Sequence, residues 1–220
     1  SVFSLSPKSE NFIIFSLQSV KNVSELNRVI YKKKENDNML INKDTSCLVI
    51  IDVQERLAPA ANEPRKIIDG CARLLKGAEI MRVPAVITEQ YPKGLGASMF
   101  DIRDAAAQGT PFVAKTELSA LRNPDFAQTF KSLNKKQVVI AGVEEHVCVL
   151  QTAVELKEAG YDVFVVTDAS GSRAPESEAA AERRLLHEGI SLVTVEMVLF
   201  EWLRKAGTPE FKEIQQKLVR

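Results

Sequence analysis

Histidine and cysteine are scarce in this chain. Its 220 residues include three cysteines and two histidines. An odd cysteine count with no Cys-x-x-Cys pair is not a disulfide framework, and it fits a reducing, cytoplasmic setting. With only His146 and His187 available, a zinc site built mainly from imidazoles is nearly excluded. An excess of charge is also missing, since Lys+Arg and Asp+Glu are equal at 29 each. Neither nucleic acid nor an anionic membrane is therefore the default partner. No apolar run approaches the roughly 18 residues of a membrane span. Internal repeats and low-complexity tracts are absent as well.

The composition is otherwise 45% hydrophobic and 26% charged. That supports one domain with a sizeable core and is marginal for two. Residues 1–38 read differently from the rest of the chain. Short apolar patches give way to the polar run Tyr31-Lys-Lys-Lys-Glu-Asn-Asp-Asn38 before Met39 opens the globular pattern. Glu10, Glu25, Glu35 and Asp37 argue against an acid-poor transit peptide. A packed or partner-binding arm is one alternative. The favoured expectation is an upstream extension: Lys34-Glu35 can be encoded by a purine-rich AAGGAG, like a translated ribosome-binding site before a Met39 start. The expected domain is then 39–220.

From Met39 the pattern alternates strand and helix. Cys47 to Asp52 is a continuous apolar run ending in a carboxylate, as expected of a parallel strand buried on both faces. Pro64 to Arg82 places apolar residues at 67, 71, 74, 78 and 81 on one helical face. Further strands are expected at 84–88, 111–113, 137–141, 161–167 and 190–195. Further helices are expected up to Ala159, over 174–187, over 197–205 and over 209–218. The alternation predicts one α/β domain: a doubly wound, six-stranded parallel sheet with helices on both faces. In such sheets the site lies beyond the carboxyl ends of the strands. Attention therefore falls on Asp52, Thr88 to Gln90, Ala114-Lys115 and Gly142 to Cys148.

Cys148 follows a strand and opens a helix, where backbone N–H groups favour a thiolate. It is read either as a nucleophile or as a small buried apolar residue, and position alone leaves both open. Cys47 and Cys71 are assigned to the core. Asp52 is a turn former or a functional anion, because an unpaired buried carboxylate is costly. Lys115 is a solvated lysine or a cation that pairs with Asp52 and a thiolate. Together the three would supply nucleophile, general base and electrostatic clamp.

Three segments carry a resemblance: Ile50-Ile-Asp-Val-Gln54, Ala114-Lys-Thr116 and Gly142-Val-Glu-Glu-His-Val-Cys-Val-Leu-Gln-Thr-Ala153. With Thr167-Asp-Ala-Ser-Gly-Ser-Arg173, their order and spacing resemble the isochorismatase-like cysteine hydrolases over about 44–205. Thr88-Glu-Gln-Tyr-Pro-Lys-Gly-Leu-Gly96 is closer to one branch, the isochorismatase-domain-containing proteins of mostly unassigned substrate. The resemblance implies a Rossmann-type three-layer fold. It also implies that Asp52 takes the thiol proton, Lys115 holds the charges and Cys148 attacks a carbonyl. It further implies a cis peptide at Val143–Glu144, with the amides of Glu144 and Cys148 facing the developing oxyanion.

The chain departs from the family in two places. Glu145 stands where many relatives have Thr, and it could bring a charge near the site. Thr88-Glu-Gln-Tyr91 lacks the metal-binding Asp-x-His run of nicotinamidases. No catalytic metal and no cofactor are therefore expected, and nicotinamide is disfavoured. Gln54, Tyr91, Phe112 and Glu145 are the candidate pocket residues. His146 is assigned to packing or the rim rather than to a Cys–His dyad. Trp202 is assigned to the core or an interface, Asp168 to Arg173 to turning the chain and capping the next helix, and Glu182-Arg-Arg184 to a solvated face.

The expected activity is hydrolysis of a small amide-like substrate through a thioester. Vinyl ether hydrolysis and a non-catalytic scaffold are the alternatives. The expected partners are a small-molecule substrate and further copies of the chain.

Overall fold

The computed structural model describes residues 40–219, so the expected 1–38 extension lies outside the described residues. Strand β1 (Ser46–Ile51) is buried at every position, as its unbroken apolar run requires. Helix α1 (Pro64–Met81) starts with proline in its first turn and ends on left-handed Arg82. Then come β2 (Ala85–Gln90), two short helices α2 (Pro92–Leu95) and α3 (Phe100–Ala105), and β3 (Phe112–Lys115). Helix α4 (Pro124–Ser132) precedes β4 (Gln137–Val143). A π-helical turn (Glu145–Val149) leads into α5 (Leu150–Glu158). The chain finishes with β5 (Asp162–Gly171), α6 (Pro175–His187), β6 (Ser191–Val193), α7 (Val195–Leu203) and α8 (Pro209–Lys217).

The six strands lie in the order β3-β2-β1-β4-β5-β6, and every pairing is parallel. This is the expected doubly wound sheet. Period-two alternation divides its side chains between two cores. Leu48 and Ile50 of β1 join Val139 and Ala141 of β4 under α1, α3, α7 and α8. Cys47, Val49 and Ile51 join Val138 and Ile140 under α4, α5 and α6. Cys47 and Cys71 are core residues, as assigned. So is Trp202, whose indole N–H donates to Ser46 Oγ at 2.9 Å. Gly70 lets α1 lie directly on β5: a Cβ there would stand 2.8 Å from that of Ala169.

Two expectations are corrected. The fifth strand does not end at Thr167 but runs to Gly171, with an irregular register opposite β4 between Ile140 and Gly142. Asp168 therefore does not cap α6; its carboxylate accepts from Val195 N at 2.8 Å and caps α7. Helix α4 is an addition to the expected elements. Its signals are Asn123, whose side chain accepts from Phe126 N, a following proline, and the buried Phe126 and Phe130 one turn apart.

Candidate active site

The chain leaves β1 towards β2 and β3 on one side, and β4 to β6 lie on the other. The crevice opens where the winding reverses, between the carboxyl ends of β1 and β4. Asp52 is the first residue past β1, in a left-handed conformation (φ 54°) that Asp tolerates better than most residues. Lys115 is the last residue of β3. Cys148 lies in the π-helical turn after β4. Glycine is needed at the base of that turn. Gly142 has φ 125°, and a Cβ there would stand 2.1 Å from the carbonyl oxygen of Ile51. The peptide between Val143 and Glu144 is cis.

The three side chains meet on one buried carboxylate. Lys115 Nζ lies 2.7 Å from Asp52 Oδ2, with both side chains fully buried. The Thr88 hydroxyl donates to Asp52 Oδ1 at 2.7 Å. The Cys148 thiol lies close enough to this carboxylate for each to shift the other's proton affinity. The Lys115 ammonium donates further to Gln90 Oε1 at 2.5 Å and to the Glu117 carbonyl at 3.2 Å. Its three protons are thus all engaged, which satisfies a buried cation and fixes its position. Thr88 and Gln90 are visible in the sequence only as members of a strand end.

Burial raises the Asp52 carboxyl above its ordinary value, against the opposing pull of Lys115, Thr88 and Cys148. The expected lowering of the Cys148 thiol by its helix start is not found. Burial first, then the Asp52 charge, push it up to about 12, with Lys115 opposing and Glu144 adding to the rise. A desolvated sulfur beside a carboxylate is better accommodated as the thiol. The resting site therefore holds a thiol beside Asp52. A standing thiolate is disfavoured there.

The candidate pocket residues separate. Gln54 is fully buried: its amide donates to the carbonyls of Gln90 and Gly96 and accepts from Gln90 N, bracing the rim instead of facing a ligand. Tyr91 follows β2 beside Lys115, is 54% exposed, and its backbone N–H donates to the Lys115 carbonyl at 2.8 Å. Phe112 is not brought to the other candidates. It begins β3, three residues and therefore about 10 Å from Lys115, and its side chain shares the exposed parity with Ala114 while Val113 and Lys115 point inward. Its neighbour Pro111 lines a cleft of about 300 Å³ at that opposite end of the sheet.

Glu145, the fourth candidate pocket residue, does not open to solvent. It is 1% exposed and turned towards Glu178 and Glu182 of α6. His146 Nδ1 lies within hydrogen-bond distance of Ser172 Oγ, at 2.8 Å. Glu144 pairs with Arg173 at 2.7 Å near the thiol. Among the described residues no three His, Cys, Asp or Glu side chains are grouped to hold a metal. No helix of the described residues is long and apolar enough to cross a membrane.

The same architecture occurs in known proteins. Isochorismatase domain-containing protein 2 from Danio rerio is 35% identical over 174 residues, 79% of this chain and 86% of its own length. The structure of MAR1 ribonuclease from Caenorhabditis elegans superposes with a TM-score of 0.78 at 35% identity, covering 82% of this chain and 93% of that one. The YcaC gene product of Escherichia coli, described as an octameric hydrolase of unknown specificity, gives a TM-score of 0.78 at 27% identity, covering 84% and 93%. The isochorismatase domain model matches residues 46–197, a span that contains Asp52, Lys115 and Cys148. This chain belongs to the isochorismatase domain family.

Proposed function

We propose that the chain is a cysteine hydrolase of small amide-like substrates, with Asp52, Lys115 and Cys148 as its catalytic residues. The observation that carries this reading is the buried Asp52 carboxylate, which accepts from Lys115 Nζ at 2.7 Å and from Thr88 Oγ1 at 2.7 Å and lies close enough to Cys148 for its charge to raise the thiol. As the sulfur attacks the substrate carbonyl, its proton passes to Asp52. The carbonyl oxygen takes the electron pair and is held by the Glu144 and Cys148 amides. Collapse of this intermediate expels the amine, which takes the proton from Asp52 and leaves a thioester. Asp52 then deprotonates the attacking water, and Cys148 departs and recovers its proton. The raised proton affinity of Asp52 suits it to accept from a thiol. Lys115 acts as a fixed counter-charge, because no proton site on it is spare.

The same raised Asp52 favours a second reading, in which the protonated carboxyl acts as an acid on a vinyl ether and the thiol is a bystander. Self-assembly is extended to this chain from its E. coli relative, described as octameric. The deciding experiment measures ammonia release from a panel of small amides and ureido compounds, with wild type and Cys148→Ala side by side. Release abolished by the substitution is the expected result. Turnover of a vinyl ether that survives Cys148→Ala would favour the second reading. RNA belongs in the panel because of the C. elegans relative's name. No turnover of any panel member would favour the scaffold alternative.

A further inference from the structure

Among the described residues two buried side-chain oxygens have no hydrogen-bond partner, Glu145 Oε1 and Ser170 Oγ. Both flank the nucleophile's turn. Glu145 opens the turn, three residues before Cys148. Ser170 pairs with Gly142, three residues before Glu145, and points away from α1, where its neighbour Ala169 packs. A buried, unpartnered oxygen is tolerable on a neutral carboxylic acid and costly on a carboxylate.

The elements around the turn offer Glu145 no cation. Helix α6 presents Glu178 and Glu182, while its Arg183 and Arg184 are exposed. Strand β4 carries no charged residue. On α5, Glu155 is bound to Ser119 and Arg122. Beyond β5, Arg173 is held by Glu144, and within the turn His146 is held by Ser172. Asp168 of β5 is engaged at the start of α7. We propose that Glu145 is a positioning residue that seats the nucleophile's turn only as the neutral acid. Ionised, it is driven from its notch by Glu178 and Glu182 and carries Cys148 away from Asp52. Burial first, then the charges of Glu182 and Glu178, raise the Glu145 carboxyl to about 8, so it is largely neutral at pH 7.

The catalytic half of this inference rests on Cys148 being the nucleophile; the seating half does not. The native state holds a proton that the unfolded chain releases near pH 4.5. Stability therefore falls as pH rises from about 4.5 to 8. The test compares melting temperatures of Glu145→Gln and Glu145, both in the Cys148→Ala protein, between pH 5 and 9. The Gln variant should gain on its parent by at least about 5 °C across that range. A constant difference would overturn the proposal.

In the intact enzyme, hydrolysis should fall about tenfold per pH unit above pH 8, and Glu145→Gln should remove that fall. A fall that persists in Glu145→Gln would overturn the link to Cys148. Should the Gln variant not fold, Glu182→Gln serves instead: it should move both transitions, and unmoved transitions would also overturn the proposal. The direction is set by charge, since one fewer neighbouring carboxylate lets Glu145 ionise at lower pH.

Discussion

Gln54 holds Gln90 by both faces of its backbone: the Gln54 side chain donates to the Gln90 carbonyl at 3.0 Å and accepts from the Gln90 N–H at 2.7 Å. The amide thus imitates one more rung of sheet beyond β1, at the point where the strand itself has turned away. Because the Gln90 side chain also accepts a hydrogen bond from Lys115, Gln54 reaches the buried cation through a single intermediary. Gln54→Leu leaves those groups unsatisfied and should cost about 1–3 kcal/mol of stability. Urea unfolding checks the stability, and turnover should fall more than KM changes.

Thr88→Val removes one donor from the Asp52 carboxylate while keeping the shape of the side chain. A bond to the charged form is lost, so the Asp52 carboxyl rises further. The acid limb of the kcat/KM profile should move to higher pH. An unmoved limb would mean that another group is the base.

Lys115→Met leaves a buried carboxylate with no counter-charge. Breaking one side of such a pair costs roughly 3–5 kcal/mol. Asp52 then relieves the cost by binding a proton that the unfolded chain lacks, so the variant should gain stability relative to wild type as pH falls from about 7.5 to 5. Denaturant titrations at the two pH values give the sign directly.

Cys148 should react slowly with iodoacetamide in the native protein. With its thiol raised to about 12, the thiolate fraction at pH 8 is about one part in ten thousand. Mass spectrometry of the modified peptide, with and without denaturant, should show labelling that accelerates on unfolding. Rapid native labelling at pH 7 would place the resting proton elsewhere.

Gly142→Ala combines a positive φ with a Cβ 2.1 Å from a neighbouring carbonyl oxygen. Backbone contacts of this kind do not yield to a rotamer change, and the expected loss is about 3 kcal/mol or more. Thermal melting, or a failure to recover soluble protein, would report it.

The sheet is legible in the sequence because β1 and β4 are apolar at nearly every position, which few arrangements other than a doubly covered parallel strand explain. Asp52, Lys115 and Cys148 stand out because each ends or follows such a run. Side-chain direction is less legible. Phe112 is adjacent in sequence to Val113, but β3 is short and at the sheet edge, so its parity is set by pairing with Ile87 rather than by its own pattern. Glu145 is a pocket candidate because it stands three residues before Cys148, whereas the π-helical turn aims it at α6. The thiol's proton affinity is out of reach of the sequence because it depends on burial and on a carboxylate 96 positions earlier in the chain.

The Asp52–Lys115 pair spans 63 positions, and Cys148 joins only after β4 has docked against β1. A fragment that ends before β4 therefore cannot carry the constellation, and a nascent polypeptide exposes an ordinary, isolated thiol until β4 has docked. The surroundings of Cys148 are then a report on assembly: the thiol is masked when β4 pairs with β1 and becomes an ordinary, labelled thiol again when that pairing is lost.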